Sequence, residues 1–218
     1  MVNQLVQGFK GFRESYFFKR EGFFQNLTRR GQTPKIMIIC CSDSRVDPAI
    51  LFGARPGELF VIRNVANLIP PYKPDGKLHG VSAAVEFGVR DLNITDIVVL
   101  GHAFCGGIST LCKKIIDEKE GSTDNENKIQ EREFIDSWMD IAKPALKNVN
   151  FDDWPGDSQH KAEKLAVLNS IRNLKTFPWI KAAIKEKALH IHGWWFDMEN
   201  GALWGNEGTK EEFTKLVP

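Results

Sequence analysis

The feature that most constrains the fold is a short run placed directly after Pro34. In Lys35-Ile36-Met37-Ile38-Ile39-Cys40-Cys41 every residue after the lysine is apolar. A strand with one wet face alternates apolar and polar residues, so a run apolar at successive positions must bury both faces. That predicts a central strand of a parallel sheet over 35–41. ELFVIR (58–63), DIVVL (96–100, ending in Gly101) and LHIHGWWF (189–196) are three further strand candidates. Helical spacing falls between them, over 79–92, 106–118, 131–148, 160–174 and 178–187. Strands alternating with helices predict an α/β protein: a central, mostly parallel sheet flanked by helices.

Residues 1–30 precede this alternation and read as a helical arm, broken near Tyr16 to Gly22. Leu5, Phe9, Phe12 and Tyr16 recur at helical spacing and form one apolar stripe. So much aromatic surface needs cover, either from the chain's own core or from a second subunit. The whole of 1–218 fits one domain with this arm as a dimerisation element. Residues 118–133, charged and carrying Gly121-Ser122-Thr123-Asp124-Asn125, read as a solvated surface loop.

Charge narrows the class of partner. There are 29 Lys and Arg against 28 Asp and Glu, a net charge of +1, which provides no field for nucleic acid or for an anionic membrane. No apolar run approaches the ~20 residues that cross a bilayer. Lys10, Arg13, Glu14, Lys19 and Arg20 interrupt the N-terminal stretch, so it does not read as a secretory signal. A cytoplasmic protein is expected, with a transit peptide as the alternative because the stretch is amphipathic and basic. For the four cysteines (Cys40, Cys41, Cys105 and Cys112), metal binding or plain burial is then expected rather than disulfides.

Two segments carry chemistry. Cys41-Ser42-Asp43-Ser44-Arg45 follows the first predicted strand, and His102-Ala103-Phe104-Cys105-Gly106-Gly107 follows the third. Both lie at carboxyl ends of parallel strands, where open α/β sheets place their ligands. His102 and Cys105, three apart at a strand-to-helix turn, can face one point, and Cys41 can join them from the neighbouring strand. Two thiolates and one imidazole make a three-ligand zinc set with the fourth tetrahedral position open, the pattern of a catalytic rather than a structural site. Cys40 is an implausible fourth ligand, because adjacent strand residues point to opposite faces. Asp43 is close enough to accept a hydrogen bond from a metal-held water, and Arg45 can grip that carboxylate with its planar fork.

C-x-D-S-R followed some sixty residues later by H-x-x-C-G-G resembles the beta-class carbonic anhydrases. Gly31-Gln32-Thr33-Pro34, Arg63 to Pro71 (RNVANLIPP) and His192 to Asp197 (HGWWFD) are similar to further blocks of that family. The resemblance implies reversible hydration of carbon dioxide to bicarbonate by a zinc-bound hydroxide, with one Zn2+ per chain on Cys41, His102 and Cys105. It implies that Asp43 and Arg45 form a dyad beside the metal-held water and that Gln32 donates to bound substrate. Phe60 and Val65 would line an apolar pocket, with Gly106 in the metal loop. Phe87, in Glu86-Phe87-Gly88-Val89, stands where many plant-type members carry Tyr, so any role of that hydroxyl is absent. The family's allosteric subtype is marked by a Trp three residues before the first ligand Cys and a Gly directly before it. Here those positions are Ile38 and Cys40, which implies the non-allosteric, plant-type form. A homo-oligomer, dimer or tetramer, is implied as well.

Three alternatives stay open at this point: a carbonyl sulfide or carbon disulfide hydrolase with the same ligands, a catalytically silent assembly protein, and a thiol switch at Cys40-Cys41. His190 and His192 share one strand face and could pair on a metal, but no neighbouring carboxylate completes a site in the sequence, so a structural role is expected. His79 and His160 are expected as surface or cap residues, and Cys112 as a buried thiol.

Overall fold

The computed structural model describes residues 1–120, 132–206 and 212–218. The elements in chain order are α1 (Val2–Phe12), α2 (Phe23–Arg30), β1 (Ile36–Cys41), α3 (Pro48–Leu51), β2 (Leu59–Asn64), α4 (Gly80–Glu86), β3 (Asp96–His102), α5 (Gly106–Glu120), α6 (Ile135–Met139), α7 (Lys143–Leu146), α8 (Asp157–Leu174), α9 (Pro178–Lys185), β4 (His190–Asp197), β5 (Ala202–Asn206) and β6 (Thr214–Val217). A 3-10 turn, Val65–Asn67, follows β2, and π-turns at Arg13–Phe17 and Phe87–Asp91 extend α1 and α4.

The six strands form one sheet in the order β2-β1-β3-β4-β5-β6. The first four are parallel, and β5 and β6 are antiparallel. All four predicted strands are present, and β1 is an interior strand between β2 and β3. Its side chains alternate between two apolar layers. Met37 and Ile39 join Ile97, Val99, Val167 and Ile171 on the α8 face, while Ile38 and Cys40 join Val98 and Leu100 on the other. The antiparallel pair did not register as strands because both are short. Its one sequence signal is Asn200-Gly201 between apolar stretches, a hairpin mark. Gly201 adopts φ 73°, and the Asp197 carboxylate accepts from the Glu199 and Asn200 backbone N–H groups, closing the turn from β4 into β5.

Helix 131–148 is not continuous. It breaks into α6 and α7, with Pro144 in the first turn of α7, where its missing N–H and fixed φ are tolerated. The surface loop expected at 118–133 lies outside the described residues over 121–131.

The arm breaks where the sequence indicated: after the π-turn, Gly22 turns left-handed at φ 75° and α2 begins. Phe24 then packs against Phe12 (5.7 Å) and Phe17 (5.1 Å), folding the arm on itself. Among the described residues neither α1 nor α2 buries a side chain, and Leu5 and Phe9 stay 75% and 64% exposed.

Helix α8 seats close on the sheet because two strand positions facing it have no side chain. A β-carbon on Gly193 would lie 2.8 Å from Ile171 Cδ1 and 3.1 Å from Val167 Cγ1; one on Gly101 would lie 2.6 Å from Val167 Cγ2. Overfilling this seam should lift α8 from the sheet. Gly193→Val is expected to cost about 1–3 kcal/mol, read as a lower denaturant midpoint at unchanged m-value.

Candidate metal centre

Sheet register builds the centre. β1 ends at Cys41 and β3 at His102, and the turn from β3 into α5 supplies Cys105. Their ligand atoms lie within 4.8 Å of one another, the thiol sulfurs 4.0 Å apart, and all three residues are buried. The structure therefore brings together the three residues expected from the two motifs. Cys40 points to the opposite face of β1, among Val98 and Leu100.

The site fits a metal ion on the chemistry of its donors. His102 Nδ1 donates to the Ala103 carbonyl at 2.8 Å, which leaves Nε2 as the ring's acceptor. That Nε2 is buried and has no hydrogen-bond partner among the described residues. An orphaned, oriented imidazole lone pair facing two thiols is a set completed by a soft divalent cation. Hydrogen bonding with Cys105 pulls the Cys41 thiol down, opposed by burial and helped by the Ala66 N–H. Cys105 is pushed up, because a second thiolate would form beside the first in a buried place. Burial is the main cause that pushes Cys40 up to about 11, with Arg63 opposing it, and Cys112 up to about 12, with the Glu163 charge adding to it. Neither thiol carries the thiolate character a redox switch needs.

Asp43 lies beside this group, its Oδ2 3.9 Å from His102 Nε2. Arg45 holds the carboxylate in a fork, Nε to Oδ1 at 2.9 Å and Nη2 to Oδ2 at 2.7 Å, and its backbone N–H adds a third bond at 2.9 Å. These bonds keep the Asp43 carboxyl well below its ordinary value. Arg45 Nη2 also reaches the Phe104 carbonyl at 3.1 Å, tying the two motifs together.

The other expected residues fall less tightly. Val65, on the 3-10 turn, meets the metal loop directly: a β-carbon on Gly107 would lie 2.9 Å from its Cγ1. Gly106 opens α5 and is exposed. Phe60 and Phe87 pair with ring centroids 6.2 Å apart, and Phe87 is 44% exposed. Gln32 is exposed between α2 and β1 and makes no hydrogen bond among the described residues.

Sequence reasoning passed over three supports. The Asn64 side chain clips Leu68, donating to its carbonyl and accepting its N–H, both at 2.9 Å. The clip holds Ala66 left-handed at φ 65° and aims its N–H at Cys41 Sγ, 3.3 Å away. Arg63 donates to the carbonyls of Cys41 (3.1 Å), Asp43 (2.7 Å) and Val46 (2.8 Å), tying down the turn that carries Asp43. Glu163, on α8, is 2% exposed and accepts from the Cys105 N–H at 3.0 Å; burial pushes its carboxyl up to about 7. Arg63 and Asn64 stood within a quoted block, whereas Glu163 had no local signal.

Two histidine expectations change. His160 is not a surface cap: it is half-buried between Phe104 and Trp195, at 5.3 and 5.1 Å. His190 and His192 do have a carboxylate neighbour. Asp96, on the adjacent strand, lies 3.1 Å from His192 and 3.8 Å from His190, though these three do not converge as the Cys-His-Cys group does. His79 precedes α4 and pairs with Asp75 at 2.6 Å.

A parallel sheet with a buried Cys-His-Cys group and a carboxylate at its strand ends defines a metal-dependent α/β enzyme. The sequence model of the family "Carbonic anhydrase" matches residues 36–203. A carbonic anhydrase of Synechocystis is 33% identical over 216 residues, covering 97% of this chain and 73% of that protein. The chloroplastic beta carbonic anhydrase 5 of Arabidopsis thaliana is 34% identical, covering 90% of this chain but only 62% of that protein. Among solved structures, the beta-carbonic anhydrase CcaA aligns over 100% of this chain and 92% of its own, with TM-score 0.82 and 32% identity. Tetrameric beta-carbonic anhydrases of Sordaria macrospora align over 99% and 93%, with TM-score 0.70 and 26% identity. The chain belongs to the carbonic anhydrase family, in its beta class. It is a carbonate dehydratase, a lyase of carbon dioxide hydration with zinc as cofactor, and Cys41, His102 and Cys105 could hold one such ion.

The turn between β1 and α3 should depend on Arg63 for stability. Arg63→Met is expected to cost about 2–3 kcal/mol by leaving three carbonyls without their charged donor, read from equilibrium denaturation.

Proposed function

We propose that this chain interconverts carbon dioxide and bicarbonate at one zinc ion on Cys41, His102 and Cys105, with Asp43 and Arg45 as its catalytic dyad. The observation that carries the reading is the unpartnered, buried Nε2 of His102, facing two thiols beside an ionised carboxylate. Zinc, when bound there, makes water acidic enough to act as a nucleophile near neutral pH.

The chain's own residues do the rest. Asp43, held by the Arg45 fork, accepts a hydrogen bond from the attacking water and so aims its lone pair. Val65, Phe60 and Phe87 provide apolar wall for a small nonpolar substrate, and Gln32 donates to an oxygen of the bicarbonate formed. Gly106, without a side chain, leaves the mouth of the metal loop open. The proton passes from the water to solvent.

The pairing of Asp43 with Arg45 supports the non-allosteric form. Arg63 is committed to three carbonyls, and Ile38 and Cys40 are buried in the core, so neither indole nor guanidinium is presented to a second anion. The uncovered stripe on α1 supports a homo-oligomer, dimer or tetramer, in which the arm packs on a second copy. Free cysteines and the absence, among the described residues, of a helix long and apolar enough to cross a membrane support a cytoplasmic location.

Purified protein should carry one zinc per chain, and Cys41→Ser should lose both zinc and hydration activity; stoichiometric zinc with full rate in that variant would reject the ligand set. Asp43→Asn should keep zinc yet hydrate carbon dioxide at least ~10²-fold more slowly in stopped flow. In the wild type the rate should rise between about pH 6.5 and 9 with a slope no steeper than one proton. Sedimentation at micromolar concentration should give a dimer or larger, and Leu5→Glu with Phe9→Glu should shift it toward monomer.

A further inference from the structure

We propose that Glu163 is a positioning residue for the metal loop, holding one end of the Phe104–Cys105 peptide while Arg45 holds the other. The inference rests on the metal reading above and adds a residue to it.

Glu163 occupies a core-facing position of α8, where an apolar side chain is the ordinary choice, and is 2% exposed. Burying a carboxylate there is costly unless its oxygens are bonded. Three neutral donors do this: the Cys105 N–H at 3.0 Å and Gln159 Nε2 at 3.2 Å on Oε1, and Trp195 Nε1 at 3.2 Å on Oε2. One carboxylate thus joins the metal loop to β4 and α8.

The bonded N–H belongs to a peptide whose orientation decides the site. Phe104 adopts φ 54°, a left-handed conformation that a bulky residue keeps only when its surroundings hold it. The carbonyl of that same peptide, Phe104 O, accepts from Arg45 Nη2 at 3.1 Å. Arg45 therefore grips the oxygen end and Glu163 the nitrogen end. The plane between them sets the direction in which Cys105 carries its sulfur, 4.0 Å from that of Cys41. It also sets the carbonyl against which the Arg45 fork is braced. Without Glu163, a buried donor on Cys105 has no partner, and the peptide is free to turn.

The test measures zinc affinity of metal-free protein by competition with a chromophoric chelator, and the thiolate-to-metal absorption of the cobalt(II)-substituted protein. Glu163→Leu, close in size, should weaken zinc binding about tenfold or more and shift the cobalt band, the usual scale for outer-shell partners of metal ligands. Glu163→Gln keeps an oxygen for the Cys105 N–H and should recover part of that loss. Trp195→Phe removes the indole donor on Oε2 and part of a buried ring but leaves the Cys105 N–H bonded to Oε1; it should lower thermal stability and weaken zinc binding less than Glu163→Leu does. The proposal is overturned if Glu163→Leu binds zinc within about twofold of wild type with an unchanged cobalt spectrum. Glu163→Ala answers the same question should the leucine variant fail to fold. Wild-type protein that takes up no zinc would refute the metal reading itself, a separate failure.

Discussion

Two thiols and an imidazole nitrogen buried within 4.8 Å of one another are the constraint on which the structure turns. Donors placed together in a core repel, lose their water, and invite collapse into another arrangement. Each must therefore be held from behind. The Ala66 N–H supports Cys41, the Ala103 carbonyl fixes the His102 ring, and Glu163 takes the Cys105 N–H. These supports come from three different parts of the chain, and two are themselves braced: Ala66 by the Asn64 clip, Glu163 by Trp195 and Gln159. Bracing of this kind is what gives a set of donors the rigidity that a metal ion's chemistry would need there.

The sheet provides that rigidity. Parallel register sets the ends of β1 and β3 side by side, and Gly101 and Gly193 let α8 approach closely enough for Glu163 to reach the loop beyond β3. Close packing of helix on sheet is thus connected to chemistry through one carboxylate. The dyad is anchored differently, by its own turn: Arg63 collects three carbonyls beneath Asp43, and Arg45 crosses to Phe104. The metal loop and the dyad share one peptide, so disturbance of either should be felt by the other.

The arm stands apart from this economy of contacts. Its aromatics pack on one another around Phe24, and the remaining apolar face of α1 stays exposed among the described residues. The same aromatic stripe that required cover in the sequence therefore still requires it in the folded chain, and a second copy is the cover proposed above.

What the sequence determined alone was whatever depends on neighbours along the chain. The unbroken apolar run made β1 central, strand alternation separated Cys40 from Cys41, and the i, i+2 spacing of Asp43 and Arg45 made their pairing a local event. His102 and Cys105, three apart at one turn, were legible for the same reason. Tertiary structure decided what depends on residues far apart. Glu163 is 58 residues from the Cys105 it supports, Arg63 is 22 from Cys41, and Asp96 is 96 from the His192 beside it. Neither periodicity nor spacing announces these pairings, even for Arg63 within its block, because a hydrogen bond between distant elements is set by how closely those elements approach, and that distance is fixed only when the whole core packs.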